Sequence, residues 1–96
     1  MSKTSDVLSL KKYWVYVLIS LVDQKFYVGF TTDLKRRLSE HTNGLVISTK
    51  HRLPLKLVHY EYFINREDAL AREKFFKSGF GRTQLRQSLK RTMLEL

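Results

Sequence analysis

From Tyr13 to Ser20 the chain is a nearly unbroken run of aromatic and β-branched residues, and Phe26 to Thr31 continues in the same manner after the polar stretch Val22-Asp23-Gln24-Lys25. Runs of this length and composition on either side of a turn-like segment predict two strands joined as a β-hairpin. The pattern then changes period. Thr32 or Asp33 can cap a helix, Leu34 and Leu38 mark one apolar stripe along it, and Asn43-Gly44 supplies its stop after about Thr42. A loop through Lys50 and Pro54 leads into a third strand from about Leu55 to Phe63. Asn65 caps a second helix, whose first turn carries Glu67 and Asp68 at the positive end of the helix dipole, and which stops near Ser78-Gly79. A third helix from about Thr83 to Lys90 closes the chain. The order ββαβαα predicts an α/β fold of the α+β type, a small, mainly antiparallel three-stranded sheet flanked by helices.

The hairpin register decides which side chains share a face. With a four-residue turn at Val22 to Lys25, Leu21 pairs with Phe26 and Ser20 with Tyr27. Because strand side chains alternate with period two, Tyr16, Tyr27 and Gly29 then point the same way. A slip of one residue would separate them. At Gly29 the missing side chain would leave space for a phosphate or a water. Taken alone, both tyrosines also suit an ordinary strand.

Size and charge narrow the field. The chain has 96 residues, a single Pro, four Gly and no repeat, so one domain over residues 13–91 is expected, with short tails at 1–12 and 92–96. Eighteen Lys and Arg against nine Asp and Glu leave a formal charge of +9, which calls for a polyanionic partner such as nucleic acid. Cysteine is absent, which excludes a disulfide framework and a thiolate metal site and fits a reducing cytoplasm. Met1 to Leu10 lacks a long hydrophobic stretch, so neither a signal peptide nor a membrane span is expected.

Three further positions carry candidate chemistry. Arg37 and His41 lie one turn apart on the same side of the first helix, beside its apolar stripe, where a guanidinium fork suits phosphate oxygens and an imidazole can hold or move a proton. With Ala69 at zero and about 100° per residue, Leu70 falls near 100°, Phe76 near −20° and Glu73 near 40°, inside the apolar arc of the second helix. Burying a lone carboxylate is costly unless it is paired or bound to a metal. Both readings are open: an ion pair to a basic side chain beneath the helix, with Arg37 a candidate, or a one-carboxylate magnesium site completed by water and phosphate oxygens. The loop from Asn43 to His51 offers Thr49, Lys50 or His51 to the same phosphate, and spacing selects none of the three.

Other basic residues contribute charge. Lys35 and Arg36 point elsewhere and add general positive potential. Between Arg72 and Arg91 the basic residues Arg72, Lys74, Lys77, Arg82, Arg86, Lys90 and Arg91 face only one acid, Glu73, and Arg82, Arg86 and Lys90 recur every four residues as a stripe along the last helix. Such a stripe grips phosphates without reading bases.

The ordered set Tyr16, Tyr27-Val28-Gly29, Arg37, His41 and Glu73 resembles the GIY-YIG nuclease superfamily, in particular its small single-domain members related to the N-terminal nuclease domain of excinuclease. The resemblance spans about Trp14 to Lys90. It is carried most specifically by Tyr27-Val28-Gly29-Phe30-Thr31-Thr32-Asp33-Leu34, by Arg36-Arg37-Leu38-Ser39-Glu40-His41, and by Ala71-Arg72-Glu73-Lys74. What it implies is single-metal hydrolysis of a nucleic-acid phosphodiester, with Mg²⁺ or Mn²⁺ held by Glu73. Tyr16 would be the general base or activate the attacking water, Tyr27 would position that nucleophile, Arg37 would stabilise phosphate charge, His41 would assist by hydrogen bonding and Gly29 would keep the site open. The implied activity is an endonuclease acting on DNA, selective for structure and linked to repair or processing. The alternative is a nucleic-acid-binding module on the same scaffold with little or no turnover. Since no base-reading module is evident, sequence specificity would fall to a partner protein. Two departures from the family pattern stand out: Trp14 and Val15 occupy the places of the name-giving glycine and isoleucine, and the asparagine that follows the metal glutamate in larger members has only Gln84 and Gln87 as amide counterparts.

Overall fold

A computed structural model of the protein describes residues 10–96; the expected N-terminal tail lies mostly outside them. Three strands, β1 (Tyr13–Ser20), β2 (Phe26–Thr31) and β3 (Leu55–Phe63), form an antiparallel sheet in the order β2-β1-β3. Helix α1 (Leu34–Thr42) follows the hairpin, a 3-10 turn (Lys50–Arg52) precedes β3, and α2 (Arg66–Lys77), α3 (Gly79–Ser88) and α4 (Lys90–Leu94) complete the chain. The α+β architecture and the order ββαβαα are those the sequence predicts.

As the central strand, β1 is covered on both faces. Val15, Val17 and Ile19, with Phe26 and Val28 of β2, form the main core with Ala69 and Phe76 of α2 and Leu85 and Leu89 farther along the chain. Removing this apolar surface from water is the principal drive for folding a chain of this size. The alternate residues of the hairpin, Tyr16 and Tyr27 among them, face the other way. There His41 of α1 covers them, its ring 5.6 Å from that of Tyr16 and 5.0 Å from that of Tyr27.

The hairpin register differs from the expected one by two residues. Leu18, not Ser20, pairs with Tyr27, and Tyr16 stands directly opposite Gly29. Ser20 causes the shift. Its amide donates to the Lys25 carbonyl (3.1 Å), its carbonyl accepts from the Gln24 amide (2.9 Å), and its hydroxyl accepts from the Val22 amide (3.1 Å), so the turn takes in Leu21 and places Gln24 at φ 61°. A shift of two preserves side-chain parity, so the two tyrosines and Gly29 still share a face.

The caps of α1 and α2 are the expected ones. Asp33 accepts from the Arg36 amide at 3.1 Å and Asn65 from the Asp68 amide at 3.0 Å, each satisfying a helix-terminal donor. The end of the chain differs. Ser78 accepts from the Gly81 amide at 3.0 Å, so α3 begins at Gly79 and not near Thr83. Gly81 is buried, and a Cβ there would overlap the Phe75 carbonyl, so the tight packing of α3 on α2 requires glycine. Leu89 then separates α3 from α4, and residues 92–94 of the expected tail are helical.

Candidate active site

One continuous line of hydrogen bonds runs through the face covered by α1. The Tyr16 hydroxyl lies 2.9 Å from His41 Nε2, and His41 Nδ1 lies 2.9 Å from Thr49 Oγ1. All three side chains are buried. Each comes from a different element: Tyr16 from the central strand, His41 from the last turn of α1, and Thr49 from the loop after it. Gly44, at φ 73°, ends α1 and turns the chain back, and the Thr49 amide donates to the Val46 carbonyl at 3.1 Å, which fixes Thr49 over the imidazole. Tyr27 packs beside them with its ring 6.3 Å from that of Tyr16.

The same crowding explains Gly29, and not as the sequence suggests. A Cβ at this position would overlap the ring and hydroxyl of Tyr16, its partner across the strands. The missing side chain accommodates the phenol itself, not a phosphate or a water.

Electrostatics set the resting protonation states. Burial is the largest influence on Tyr16 and, with the neighbouring Tyr27 and the negative charge of Glu73, pushes its hydroxyl up to about 12; Arg37 opposes this without reversing it. The phenol is therefore uncharged near neutrality, and the field of Arg37 does not by itself make a phenolate. Burial, followed by the positive charge of Arg37, holds the imidazole of His41 below its usual range, with Glu40 acting in the other direction. His41 is thus a neutral base beside a neutral phenol. Arg37 gives one N–H to Glu40 Oε1 at 3.0 Å and retains other donors of its partly exposed fork.

Glu73 lies on α2, and its charge still acts on the Tyr16 phenol. Its side chain is 19% exposed, and the basic partner is Lys77, one turn along at 3.1 Å, rather than Arg37. Among the described residues no group of three or more His, Asp or Glu gathers into a metal-binding cluster. A solitary, largely sheltered carboxylate within electrostatic reach of the phenol does not fit a fully protein-ligated ion. It fits a hard divalent cation that takes one carboxylate and keeps most of its water shell, as magnesium does.

The basic residues divide into two groups. Lys35, Arg36, Lys74, Arg82 and Lys90 are exposed, Arg36 being 3.9 Å from Asp33 in a loose surface pair. Others have structural duties. Arg72 is bidentate to Glu61 (2.9 and 3.2 Å) and lies over the Phe76 ring, while Arg86 rests on Phe26 and donates to the Gln24 carbonyl at 3.3 Å. Lys77 holds Glu73. The periodic stripe is also interrupted, since Lys90 belongs to α4 and Arg82 and Arg86 to α3. Gln84 borders a small cavity of about 110 Å³ with His59, Glu61 and Arg72 on the core side of β3, and Gln87 is exposed. Thr49 is the site residue that spacing alone does not single out from Lys50 and His51; only the tertiary contact with His41 distinguishes it.

The family model of the GIY-YIG catalytic domain matches residues 12–87 of this chain. Among curated proteins, UPF0213 protein SpyM3_1077 from Streptococcus pyogenes serotype M3 is 42% identical over 78 residues, covering 80% of this chain and 84% of its own length. UPF0213 protein SpyM50708 from Streptococcus pyogenes serotype M5 is 41% identical over 78 residues, with the same coverage. The solution NMR structure of UPF0213 protein BH0048 from Bacillus halodurans superposes with a TM-score of 0.52 at 35% identity, covering 82% of this chain and 85% of that one. The family match embraces every site residue from Tyr16 through Arg37, His41 and Thr49 to Glu73, and the chain belongs to the GIY-YIG family of nucleases.

Proposed function

We propose that the protein is a metal-dependent endonuclease that hydrolyses phosphodiester bonds in DNA, selecting its substrate by structure in repair or processing. The observation that carries this reading is the buried line Tyr16–His41–Thr49, with Arg37 and Glu73 acting electrostatically on its phenol.

Since the phenol rests neutral, Tyr16 accepts a proton from the attacking water only as it passes its own to His41 Nε2. His41 can receive it because its imidazole is neutral, and an N–H at Nδ1 is accepted by the Thr49 hydroxyl, which stabilises the charge that forms. Tyr16 is therefore a relay and His41 the terminal base. Tyr27 orients the water from beside the imidazole. The free donors of Arg37 hold the phosphate oxygens as negative charge accumulates on them. Glu73 would hold the divalent ion, Mg²⁺ or Mn²⁺, which when bound supplies charge neutralisation at the phosphate. Lys35, Arg36, Lys74, Arg82 and Lys90 would track the backbone, a grip indifferent to sequence, so selection falls to strand structure or to a partner protein.

The test is incubation with branched, nicked and single-stranded DNA and with RNA, in Mg²⁺ or EDTA, beside the variants Glu73→Ala and Tyr16→Phe. Cleavage that requires the ion and is lost in both variants is expected. Cleavage persisting in Glu73→Ala would overturn the assignment of the metal ligand, and binding without turnover on every substrate would leave a nucleic-acid-binding module in place of the enzyme.

A further inference from the structure

Beside the buried phenol the same sheet face continues as an open aromatic surface. The register of β1 with β3 places Tyr60 opposite Tyr16 and Tyr62 opposite Trp14, so all four rings stand on one side of the sheet. Trp14 meets Tyr60 with ring centroids 5.8 Å apart and Tyr62 at 5.1 Å, while Tyr60 is 53% and Tyr62 43% exposed. Tyr62 is held by a hydrogen bond to the Lys11 carbonyl at 3.2 Å. A groove of about 550 Å³ adjoins the patch, running from Trp14 to the start of α1 between Lys12 and Lys35, with Leu34 and Leu38 at its side and Asp33 as its one acid.

Three large rings left this open on a small domain call for a partner, since an aromatic face removed from water contributes far more than one left wet. The chemistry of the surroundings indicates which. A protein face would be expected to match the patch with further apolar surface, yet here the rings are bordered by lysines on a chain of net charge +9. Aromatic faces beside cations are the combination that takes unpaired bases and their phosphates, the bases stacking and the backbone following the charge. A base pair inside a duplex keeps its faces covered and cannot use such a surface.

We infer that Trp14, Tyr60 and Tyr62 form a stacking platform for unpaired bases, which delivers a single-stranded segment of nucleic acid to Tyr16 and makes such segments the substrate class. The inference rests on the nuclease reading of the Tyr16 site for its consequence, though the platform's binding is separable from turnover.

Trp14 is the sole tryptophan of the chain, so its fluorescence reports on the platform directly. The protein is titrated in EDTA with an oligodeoxythymidine, an oligouridine and a blunt DNA duplex, each end-labelled so that anisotropy measures binding independently. Both single strands are expected to quench Trp14 and the duplex to bind, if at all, without quenching; unequal response to the two single strands assigns DNA or RNA as the preferred source. Tyr60→Ala and Tyr62→Ala should each weaken single-strand binding on the order of tenfold, the scale of one lost base–aromatic contact, while Tyr60→Phe retains it. Single strands that bind by anisotropy with Trp14 emission unchanged, or with both alanine variants within about twofold of the parent, would overturn the platform. So would quenching on concentration of the protein alone with a doubling of mass, which would make the face a contact between copies. Quenching without cleavage on any substrate keeps the platform and removes the nuclease, whereas cleavage without quenching does the reverse.

Discussion

The Tyr16 hydroxyl is a poor base on its own, and the residues around it determine what it can do. Its pKa, pushed up to about 12, follows from burial, and its route to reactivity is the neutral His41 at 2.9 Å. The pH dependence follows from the sign of the His41 shift. Burial and Arg37 lower the imidazole's value beneath its usual 6.5, so His41 stays unprotonated through neutrality and blocks the relay only once it is charged. The rate should therefore hold steady down to pH 6.5 and fall at lower pH, and a profile whose acid limb begins above neutrality would contradict the relay. Thr49→Val removes the acceptor at Nδ1 and should lower kcat by the equivalent of about 1–3 kcal/mol with KM little changed, whereas Thr49→Ser should restore it. Gly29 was legible as a constraint but not as this one: its chain position marks a glycine on the tyrosine face, and only the paired strand reveals that the space holds the phenol. Gly29→Ala should lower the unfolding free energy by at least about 1–3 kcal/mol in denaturant titration and displace Tyr16, abolishing activity in whatever fraction still folds.

At the level of elements, the two caps read from Asp33 and Asn65 hold because capping is local: a side-chain oxygen two or three residues from a free amide finds it wherever the helix lies. The start of α3 was misread for the complementary reason. Ser78-Gly79 has the composition of a helix stop, and Gly81 is a poor helix former, but Gly81 is what lets α3 pack on the Phe75 carbonyl, a contact that no local propensity encodes. Arg72 changes its meaning in the same way, from an expected phosphate ligand to the bidentate partner of Glu61 on β3, with His59 completing the group at 2.9 Å. Burial alone would raise the carboxyl of Glu61; Arg72 and His59 outweigh it and hold it below the usual 4.5. A depressed carboxylate contributes stability that is present above its unfolded value and is lost as pH falls through the folded one. The denaturation midpoint should thus decline below pH 4.5, and decline less steeply in Glu61→Gln; parallel curves for the two proteins would remove Glu61 from the acid sensitivity.

Over the whole molecule, a net charge of +9 on so small a domain gives a long-range attraction for polyanions that no single residue accounts for. Nucleic-acid affinity should fall linearly on a logarithmic salt scale, and neutralising one exposed cation, Lys35→Ala for instance, should reduce that slope by about one, as expected for the loss of one phosphate contact. The same substitution at Arg72 should change stability more than the slope, because its guanidinium is already engaged by Glu61. Among the described residues no helix is long and apolar enough to cross a membrane.

The amino-acid order by itself determined the sheet, the helix succession, the shared face of the tyrosines and the family pattern from Tyr16 to Glu73, because each depends on periodicity, capping or spacing within a few turns of the chain. Tertiary structure alone decided that Tyr16 lies against Gly29, that Thr49 rather than its neighbours meets His41, that Glu73 pairs with Lys77, and which arginines remain available to a phosphate. These are contacts between residues whose proximity is created by folding, and burial, which sets the proton affinities of Tyr16 and His41, exists only once the layers have closed.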